Sequence, residues 1–277
     1  MILIKSHGLG NDYLVAHHLS RPLTAALVVA LCDRHTGIGG DGILEPSSAD
    51  GADYGLLIWN PDGSLAEKSG NGLRIYARYL VDHCDAPPEF TVSIPAGVVR
   101  CRVEADAVTV EMGHATFIPE QIPCLQPLLR APLQIGEDML PLTAVGVGNP
   151  HCVIFFPDET DLDALPWRKW GAILERHPLF PNRTNVQFAR RLAAQAVEIR
   201  IWERGAGETS ASGSSSCATA AAAIRLGLAE HGPLTLVMPG GTLDVHVHSD
   251  WQLTLRGPVE EIGQASVSAR WLQTRRG

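Results

Sequence analysis

Long apolar runs are absent from the sequence: nowhere among its 277 residues do about eighteen apolar residues follow one another, the minimum for a transmembrane helix. The N-terminal segment, MILIKSHGLG, also lacks the basic region and the apolar stretch of a secretory signal. These absences exclude the usual membrane and secreted classes. They predict a globular protein that is cytoplasmic and has no membrane partner.

Clusters of basic residues are also absent. The formal net charge is -8, and basic side chains adjoin only in pairs such as Arg190-Arg191, whereas nucleic-acid surfaces concentrate positive charge. The sequence therefore predicts no nucleic-acid partner. An acidic protein that binds an anion needs a local positive site, and a helix N-terminus can supply one.

Metal-ligating residues are not grouped along the chain. The six cysteines contain no C-x-x-C pair and the histidines are scattered, so neither a disulfide framework nor a metal centre is expected. Lysine is scarce, which leaves few candidates for a Schiff base with pyridoxal phosphate. The lysines are Lys5, Lys68 and Lys169. The sequence thus predicts a protein without a metal ion or an organic cofactor.

What the sequence does contain is an internal repeat. Residues 58–70 align with residues 201–213 without a gap, and both segments start with Ile-Trp and end with Ser-Gly. Shorter matches, Gly-Leu-Gly-Asn with Gly-Val-Gly-Asn and Arg-His with Arg-His, keep the same order. Such a repeat indicates two similar halves. We predict an N-terminal lobe of residues 1–115, which residues 256–277 are candidates to complete, and a C-terminal lobe of residues 116–255.

Each half has the same order of predicted elements. An apolar strand, Tyr54 to Trp59 or Val197 to Trp202, precedes a glycine-rich loop and then a helix, residues 73–81 or 218–228. The second helix is so rich in alanine that close packing around it is expected. This pattern predicts an α+β fold with many strands around one central helix in each half. The other strand candidates are short and separated by turns: 90–94, 98–103, 107–112, 145–147, 152–156, 234–237, 243–248 and 252–255.

Two Ser-Gly pairs, at residues 69–70 and 212–213, stand at the predicted starts of these helices. A serine there is ordinarily an N-cap. Equivalent helix starts in two similar halves are nevertheless expected to converge on one site, where backbone amides bind a carboxylate. Glu203 and Arg204 end the second strand, with asparagines nearby. An arginine for carboxylate and a glutamate for ammonium indicate a site for a small zwitterion.

Eight motifs make a resemblance to a known family specific. They run in order from residue 8 to about residue 209 and resemble the motifs of diaminopimelate epimerases, and eight ordered matches leave little room for chance. The motifs are Gly8-Leu9-Gly10-Asn11-Asp12, Arg34-His35-Thr36-Gly37-Ile38-Gly39, Asn60-Pro61-Asp62-Gly63-Ser64, Ser69-Gly70-Asn71-Gly72-Leu73-Arg74, Gly148-Asn149-Pro150-His151-Cys152-Val153, His177-Pro178-Leu179-Phe180-Pro181, Thr184-Asn185-Val186 and Glu203-Arg204-Gly205-Ala206-Gly207-Glu208-Thr209.

The resemblance implies a fold and a substrate class. Two similar lobes, each a strand barrel around a central helix and related by a pseudo-twofold axis, would close over a small amino-acid-like substrate without pyridoxal phosphate or metal. The sequence contains no recognisable oligomeric interface, and a homodimer stays open. By position, the family's substrate contacts fall at Asn11, Asn60, Asn149, Asn185, Glu203 and Arg204, and its helix-start cradle for the carboxylate falls at Gly70, Asn71, Gly213 and Ser214.

The departure from the family lies at the chemistry. In the family, one catalytic cysteine removes the substrate α-proton and a second delivers a proton to the opposite face; these two cysteines would fall at Ser69 and Ser212. A thiol near a helix N-terminus can become a base, whereas a serine hydroxyl needs an adjacent base. Auxiliary acid or base candidates are Lys68, Asp62, His151 and Glu208.

Three functions are compatible with the two serines. The first is a divergent isomerase that shifts a proton or a double bond along an activated substrate, and the serine-rich run 214–216 favours such natural divergence. The second is a diaminopimelate epimerase in which both cysteines were replaced, naturally or by an experimenter. The third is a non-catalytic amino-acid-binding protein. All three need the same binding residues, so these residues do not distinguish the three functions. The weight of the motifs predicts an isomerase without fixing its reaction.

Exposure predicts how two binding candidates respond to truncation. An asparagine at a helix start and an arginine at a strand end are both expected to be exposed. Truncation of Asn71 or Arg204 should therefore lower ligand affinity more than it lowers stability.

Overall fold

The computed structural model describes residues 1–275, and within them the chain forms two compact lobes. The first lobe comprises residues 1–110 and the described residues from Gly257 onward, and the second comprises Glu111–Arg256. Both consist mainly of strands, with few helices. The predicted two-lobed α+β fold is therefore confirmed. None of the helices within residues 1–275 combines the length and the apolar character that crossing a membrane requires.

In the first lobe, strands pack around one central helix. Its helices are α1 (Ala25–Cys32), α2 (Gly70–Cys84) and α5 (Ala269–Gln273). Helix α2 packs against three of the strands, β1, β2 and β7. The strands are β1 (Ile2–Gly8), β2 (Asn11–His18), β3 (Ile43–Ser47), β4 (Tyr54–Trp59), β5 (Leu65–Ala66), β6 (Glu89–Ile94), β7 (Gly97–Val103), the first residues of β8 (Val108–His114), and β18 (Glu260–Ser266).

The strands of this lobe follow a fixed order of pairing. Strand β1 pairs antiparallel with both β18 and β2, and β2 pairs parallel with β3. Strand β4 pairs antiparallel with β3 and β5 and parallel with β6, and β7 pairs antiparallel with β6 and β8. The last strand of the chain thus pairs with the first.

The second lobe also has one central helix. Its helices are α3 (Trp167–Glu175) and α4 (Gly213–Arg225). Helix α4 packs against five strands, β10, β11, β12, β15 and β16. The strands are β9 (Ala131–Ile135), β10 (Asp138–Gly146), β11 (Pro150–Phe155), β12 (Asn185–Ala193), β13 (Ala196–Glu203), β14 (Gly207–Thr209), β15 (Gly232–Met238), β16 (Gly241–Val247) and β17 (Gln252–Gly257).

The pairing order of the second lobe repeats that of the first. Strands β9, β10 and β11 pair antiparallel, and β11 is parallel to β12. Strand β13 pairs antiparallel with β12 and β14 and parallel with β15, and β16 pairs antiparallel with β15 and β17. Each strand from β9 to β17 has a counterpart in the series β18, β1 to β8. The sequence repeat is therefore a repeat of topology.

Both central helices begin at the Ser-Gly pairs, and their lengths differ from the prediction. Helix α2 extends to Cys84, where Asp85 adopts a left-handed conformation with φ 53° and ends it. Helix α4 ends at Arg225, short of the predicted residue 228, because Gly227 turns the chain with φ 69°. The alanines of α4 are fully buried, so the expected close packing is confirmed.

Helices α1 and α3 had no counterpart in the sequence prediction. Helix α1 is an unbroken apolar run, which periodicity alone does not distinguish from a strand. Helix α3 carries a readable signal: Trp167, Trp170 and Leu174 are buried at helical spacing and join the core of the second lobe.

Candidate active site

Ser69 caps the N-terminus of α2. Its backbone is extended, with φ -140° and ψ 119°, and its Oγ accepts a hydrogen bond from the backbone N–H of Gly72 at 3.0 Å. The first amides of a helix have no partner inside the helix and favour anions. Gly70 and Asn71 carry the first two of these amides. The predicted helix start at this serine is confirmed.

A second hydroxyl lies beside Ser69. The Tyr13 hydroxyl is 3.2 Å from Ser69 Oγ, and Tyr13 is buried on β2. Two glycines leave room for this arrangement. A Cβ at Gly72 would lie 3.2 Å from Ser69 Oγ, and a Cβ at Gly42 would lie 2.7 Å from Tyr13 Cε1. Tyr13 is absent from the predicted site because nothing in its sequence context indicated which side chain it faces.

Ser212 caps α4 in the same way. Its backbone is extended, with φ -150° and ψ 125°, and its Oγ accepts a hydrogen bond from the backbone N–H of Ser215 at 3.4 Å. The Ser214 hydroxyl is 3.5 Å from Ser212 Oγ. Gly213 and Ser214 are the first two residues of α4. In both lobes, the serine at the position predicted for a catalytic cysteine therefore lies next to helix-start amides and a second hydroxyl.

Asn71 is buried, so its expected exposure is wrong. Only 5% of the residue is exposed. Its Nδ2 donates to Asn11 Oδ1 at 3.0 Å, and its Oδ1 accepts from Arg74 Nη2 at 3.0 Å. Arg74 is fully buried and also donates to the Gly70 carbonyl at 3.2 Å. The asparagine therefore connects the start of α2 to β2 rather than extending into solvent.

A cluster of ion pairs holds Asn11 from its other side. Asn11 Nδ2 donates to Asp41 Oδ2 at 2.8 Å, and Arg34 donates to Asp41 and to Asp12 at 2.6 Å each. Lys5 Nζ lies 3.0 Å from Asp12 Oδ2. Burial alone would raise the pKa of Asp12, but the hydrogen bonds from Arg34 and Lys5 lower it to about 2. Asp12 is thus charged at neutral pH, and the cluster fixes the amide of Asn11.

Two predicted contacts of the second lobe lie where β11 and β12 begin. Asn149 Oδ1 is 2.9 Å from His151 Nε2. Asn185 donates from Nδ2 to the Pro150 carbonyl at 3.0 Å and accepts at Oδ1 from the backbone N–H of Arg204 at 3.0 Å. These bonds leave Asn185 one further N–H. Strands β11 and β12 are parallel neighbours, which brings these residues together.

Glu203 and Arg204 follow one another at the end of β13. Glu203 is half-buried and is the last residue of the strand. Arg204 is exposed, as predicted, and its Nη1 donates to the Asn182 carbonyl at 3.2 Å. Because its backbone is tied to Asn185, the guanidinium extends from a fixed point. The second lobe thus has a carboxylate and a cation on adjacent residues, and the amide of Asn185 bonds to the backbone of the second of them.

His151 is fully buried, and its environment makes it a poor proton donor. Desolvation lowers the pKa of the imidazole to about 3, and the neighbouring amide of Gln187 only partly opposes this effect. The ring is therefore neutral at pH 7. A neutral imidazole can orient Asn149 but carries no proton to donate as a cation, which argues against one of the proposed auxiliary roles.

We expect His151 to make stability fall in acid. The pKa of its imidazole is about 3 in the folded protein and about 6.5 in an unfolded chain. The unfolded state therefore binds more protons in this interval, and the stability present above about pH 6.5 is lost as the pH falls. Between about pH 7 and about pH 5, the wild type should lose about 2 kcal/mol more unfolding free energy than His151→Gln.

Urea denaturation at both pH values measures this difference. His35→Gln is the matched control, because His35 is exposed and its loss should leave the acid sensitivity of the wild type in place. An equal pH dependence in wild type and His151→Gln would show that His151 is not held neutral by burial.

The turn after β4 contains two more predicted residues. Asn60 Nδ2 donates to Ser64 Oγ at 2.9 Å, and Asp62 Oδ1 accepts from the Ser64 hydroxyl at 2.6 Å and from its amide at 2.9 Å. These hydrogen bonds lower the pKa of Asp62. Asp62 therefore stabilises the turn and is a weaker base than an ordinary aspartate. Lys68 is half-buried and directly precedes Ser69.

Glu208 forms a bidentate ion pair with Arg168 on α3. Both Glu208 oxygens accept from the guanidinium at 2.6 Å, and this hydrogen bonding lowers the pKa of the glutamate. An exposed carboxylate with a lowered pKa is a poor general base. We interpret the pair as a link between α3 and strand β14, which precedes Ser212.

Thiols of the second lobe lie in its core. Cys217 is fully buried within α4, and burial raises the pKa of the Cys152 thiol on β11. Neither Cys217 nor Cys152 can therefore replace a catalytic thiolate at the position of Ser212. Within residues 1–275, no three His, Cys, Asp or Glu side chains are grouped so that they could hold a metal ion.

Comparison with known sequences places the chain among close relatives. A family model described as diaminopimelate epimerase matches residues 3–118 and 143–262, which contain all eight motifs. Diaminopimelate epimerase 2 from Nostoc sp. is 41% identical, with 97% of this chain and 96% of the relative covered. A diaminopimelate epimerase from Rhodospirillum centenum is 43% identical, with 92% and 88% covered. The predicted family resemblance is confirmed.

Comparison with solved structures extends the similarity in fold. A probable proline racemase from Agrobacterium radiobacter K84 has a TM-score of 0.70 at 16% identity, with 97% of this chain and 93% of that chain covered. A Bacillus anthracis phenazine biosynthesis protein of the PhzF family has a TM-score of 0.70 at 12% identity, with 97% and 99% covered. Identities this low establish the fold alone.

Proposed function

The chain belongs to the diaminopimelate epimerase family, and on this premise we propose that it transfers a proton at the α-carbon of a small amino acid of the diaminopimelate type. The observation that carries the proposal is the equivalence of Ser69 and Ser212. Each caps a central helix, and each Oγ lies beside a second hydroxyl, that of Tyr13 at 3.2 Å or that of Ser214 at 3.5 Å. We assign the two serines as the acid–base pair.

The proposed reaction needs no cofactor. One serine, as its alkoxide, takes the proton from the α-carbon and becomes a hydroxyl, and the electron pair of the broken C–H bond stays on the substrate, shared with its carboxylate. The other serine then gives its hydroxyl proton to the opposite face of the carbon. Helix-start amides favour negative charge and are suited to a substrate carboxylate. They belong to Gly70 and Asn71 in the first lobe and to Gly213 and Ser214 in the second.

The remaining binding residues would recognise the rest of the substrate. Arg204 has an exposed guanidinium suited to a carboxylate, and Glu203 is suited to an ammonium group. Hydrogen bonds already made within each lobe orient the amides of Asn11 and Asn185. We include Asn60 and Asn149 in the binding set by their motif positions, and we leave Lys68 as the auxiliary group beside Ser69.

A second candidate function follows from the hydroxyls themselves. A neutral serine hydroxyl is a weaker base than a thiolate, so it suits a substrate whose C–H bond is already acidified by an adjacent double bond or imine. In that case, the same site would shift a proton along an unsaturated amino or dicarboxylic acid. The identity of the relatives favours diaminopimelate, whereas the two hydroxyl pairs favour this alternative.

Solvent-deuterium incorporation tests the proposal. We expect the protein in D2O, with EDTA and without pyridoxal phosphate, to place deuterium at the α-carbon of LL- or meso-diaminopimelate above a protein-free background. Mass spectrometry and NMR identify the labelled carbon. Label in an unsaturated acid, but not in diaminopimelate, would select the second candidate. Tight binding without exchange in any substrate would instead identify an amino-acid-binding protein and overturn the proposal.

A further inference from the structure

The geometry around Ser69 points to a residue outside the predicted site. We propose that Tyr13 is the positioning residue of Ser69: its hydroxyl donates to Ser69 Oγ and stabilises the alkoxide form of that serine during proton transfer. This inference rests on the proposed function, because it assigns a role to Tyr13 through the acid–base action of Ser69.

The place of Tyr13 is built into the first lobe. The tyrosine is 7% exposed and lies on β2, the strand that also contributes Asn11. Its ring packs against Gly42, where a Cβ would lie 2.7 Å from Tyr13 Cε1 and 2.2 Å from the Trp59 carbonyl oxygen. Any larger residue at position 42 would displace the ring or the strand. The ring is therefore held so that its hydroxyl reaches Ser69.

Hydrogen-bond counting determines what Tyr13 does there. A serine oxygen accepts two hydrogen bonds and donates one. The Gly72 amide uses the first acceptor position at 3.0 Å. A phenol is a stronger acid than an alcohol, so in the Tyr13–Ser69 contact the phenol is the better donor and uses the second position. The hydrogen of Ser69 then points away from both donors and is available to a substrate.

The same two donors stabilise the charge that proton transfer creates. When Ser69 gives its proton to the substrate carbon, the O–H bond breaks and its electron pair stays on Oγ. The Gly72 amide and the Tyr13 hydroxyl both donate to that alkoxide, and hydrogen bonds to a charged form favour it. In the reverse direction, the alkoxide takes the α-proton and the hydroxyl is restored. Tyr13 keeps its own proton in both directions.

The hydrogen-bond donors to Ser212 Oγ are weaker than those to Ser69 Oγ, so the serines that serve the two faces of the substrate α-carbon are not equivalent. Its Oγ is 3.4 Å from the Ser215 amide and 3.5 Å from the Ser214 hydroxyl, at the limit of hydrogen bonding. An aliphatic hydroxyl is also a weaker donor than a phenol. We therefore assign Ser69 as the serine whose alkoxide is better stabilised.

The activity test compares two buried tyrosines. Tyr13→Phe should lower kcat for α-deuterium exchange about ten- to hundredfold, which corresponds to the free energy of a hydrogen bond to a charged group. KM should stay nearly unchanged, because Tyr13 acts through Ser69. In the Ser69→Ala background, Tyr13→Phe should have no further effect. Tyr76→Phe is the matched control: Tyr76 is buried and donates to the Gly55 carbonyl at 3.0 Å, so its loss should leave kcat unchanged.

A second test does not depend on activity. Ser69→Cys places a thiol at the same position, and its titration is followed by the ultraviolet absorbance of the thiolate, with the wild type subtracted. A donor to the thiolate lowers the thiol pKa. Adding Tyr13→Phe should therefore raise the titration midpoint by about one pH unit, the equivalent of a tenfold change, whereas adding Tyr76→Phe should not.

The two tests separate this inference from the proposed function. A wild type that exchanges no substrate, together with a shifted thiol titration, would overturn the proposed reaction and leave the Tyr13 contact standing. Equal thiol titrations with and without the Tyr13 hydroxyl would overturn the inference whatever the activity. An unchanged kcat in Tyr13→Phe would do the same in a wild type that exchanges.

Discussion

Replacing Ser69 and Ser212 together by cysteine is expected to raise the rate of diaminopimelate inversion about a hundred- to ten-thousand-fold, the range typical of a general acid–base group. Each new thiol would cap a helix N-terminus, where the helix dipole favours the thiolate. Because the extended backbone at both serines already faces the first helix amides, the substitution changes one atom without moving the chain. Chirality and α-deuterium content are measured together during the reaction.

The single variants and a matched thiol make this result specific. Ser69→Cys or Ser212→Cys alone should exchange the α-proton without efficient inversion, since inversion needs an acid on one face and a base on the other. Ser268→Cys is the control: Ser268 caps α5, and its Oγ accepts from the Trp271 amide at 3.2 Å. A thiol at that helix start should add no inversion.

Two outcomes would contradict the reasoning. If the double variant folds and binds diaminopimelate yet produces no inversion, the scaffold is not an epimerase that lost its thiols, and the shift of a proton along an unsaturated substrate becomes the better account. If the unmodified protein inverts diaminopimelate rapidly, two hydroxyls are sufficient and sulfur is unnecessary. The contact between Tyr13 and Ser69 would then be the first place to seek the reason.

The features predicted well from the sequence are those with local causes. The starts of α2 and α4 follow from serine N-caps and glycines, which act through the nearest backbone amides. The repeated Ile-Trp and Ser-Gly pairs preserve the same strand-to-helix connection in both lobes, so they indicated a repeated topology. The alanine-rich α4 could be assigned to a crowded interior because small side chains permit close packing.

The features missed depend on residues that are distant in the sequence. Asn71 is buried because Asn11 and Arg74 bond to its two amide atoms, and no local pattern gives the fold-dependent contact with Asn11. The ion pairs of Arg34 join strands and loops in the same way. In the sequence, Arg34 belongs to a repeated Arg-His pair and to one of the eight motifs, and neither pattern indicates its ion-pair partners. Contacts between side chains on different elements require the fold before they can be predicted.

Burial changes what truncation of Asn71 should do. Asn71→Ala is expected to lower the free energy of unfolding by about 3 kcal/mol, because it removes an acceptor from the buried Arg74 guanidinium and a donor from Asn11. Ligand affinity should fall as well, since Asn11 loses one of its two anchors. Asn71→Asp should lose less stability, because a carboxylate still accepts from Arg74 and only the donor to Asn11 is gone. Urea denaturation and calorimetric titration with diaminopimelate measure the two effects.

Arg204→Ala separates stability from binding at a comparable binding residue. Its guanidinium is exposed and makes one hydrogen bond, to the Asn182 carbonyl at 3.2 Å, while its backbone contact with Asn185 survives truncation. We expect near wild-type stability and weaker binding. If Asn71→Ala instead unfolded at the same urea concentration as the wild type, Arg74 would have found another acceptor and the burial argument would be wrong. If Arg204→Ala bound diaminopimelate as tightly as the wild type, the exposed guanidinium would have no part in recognising a carboxylate.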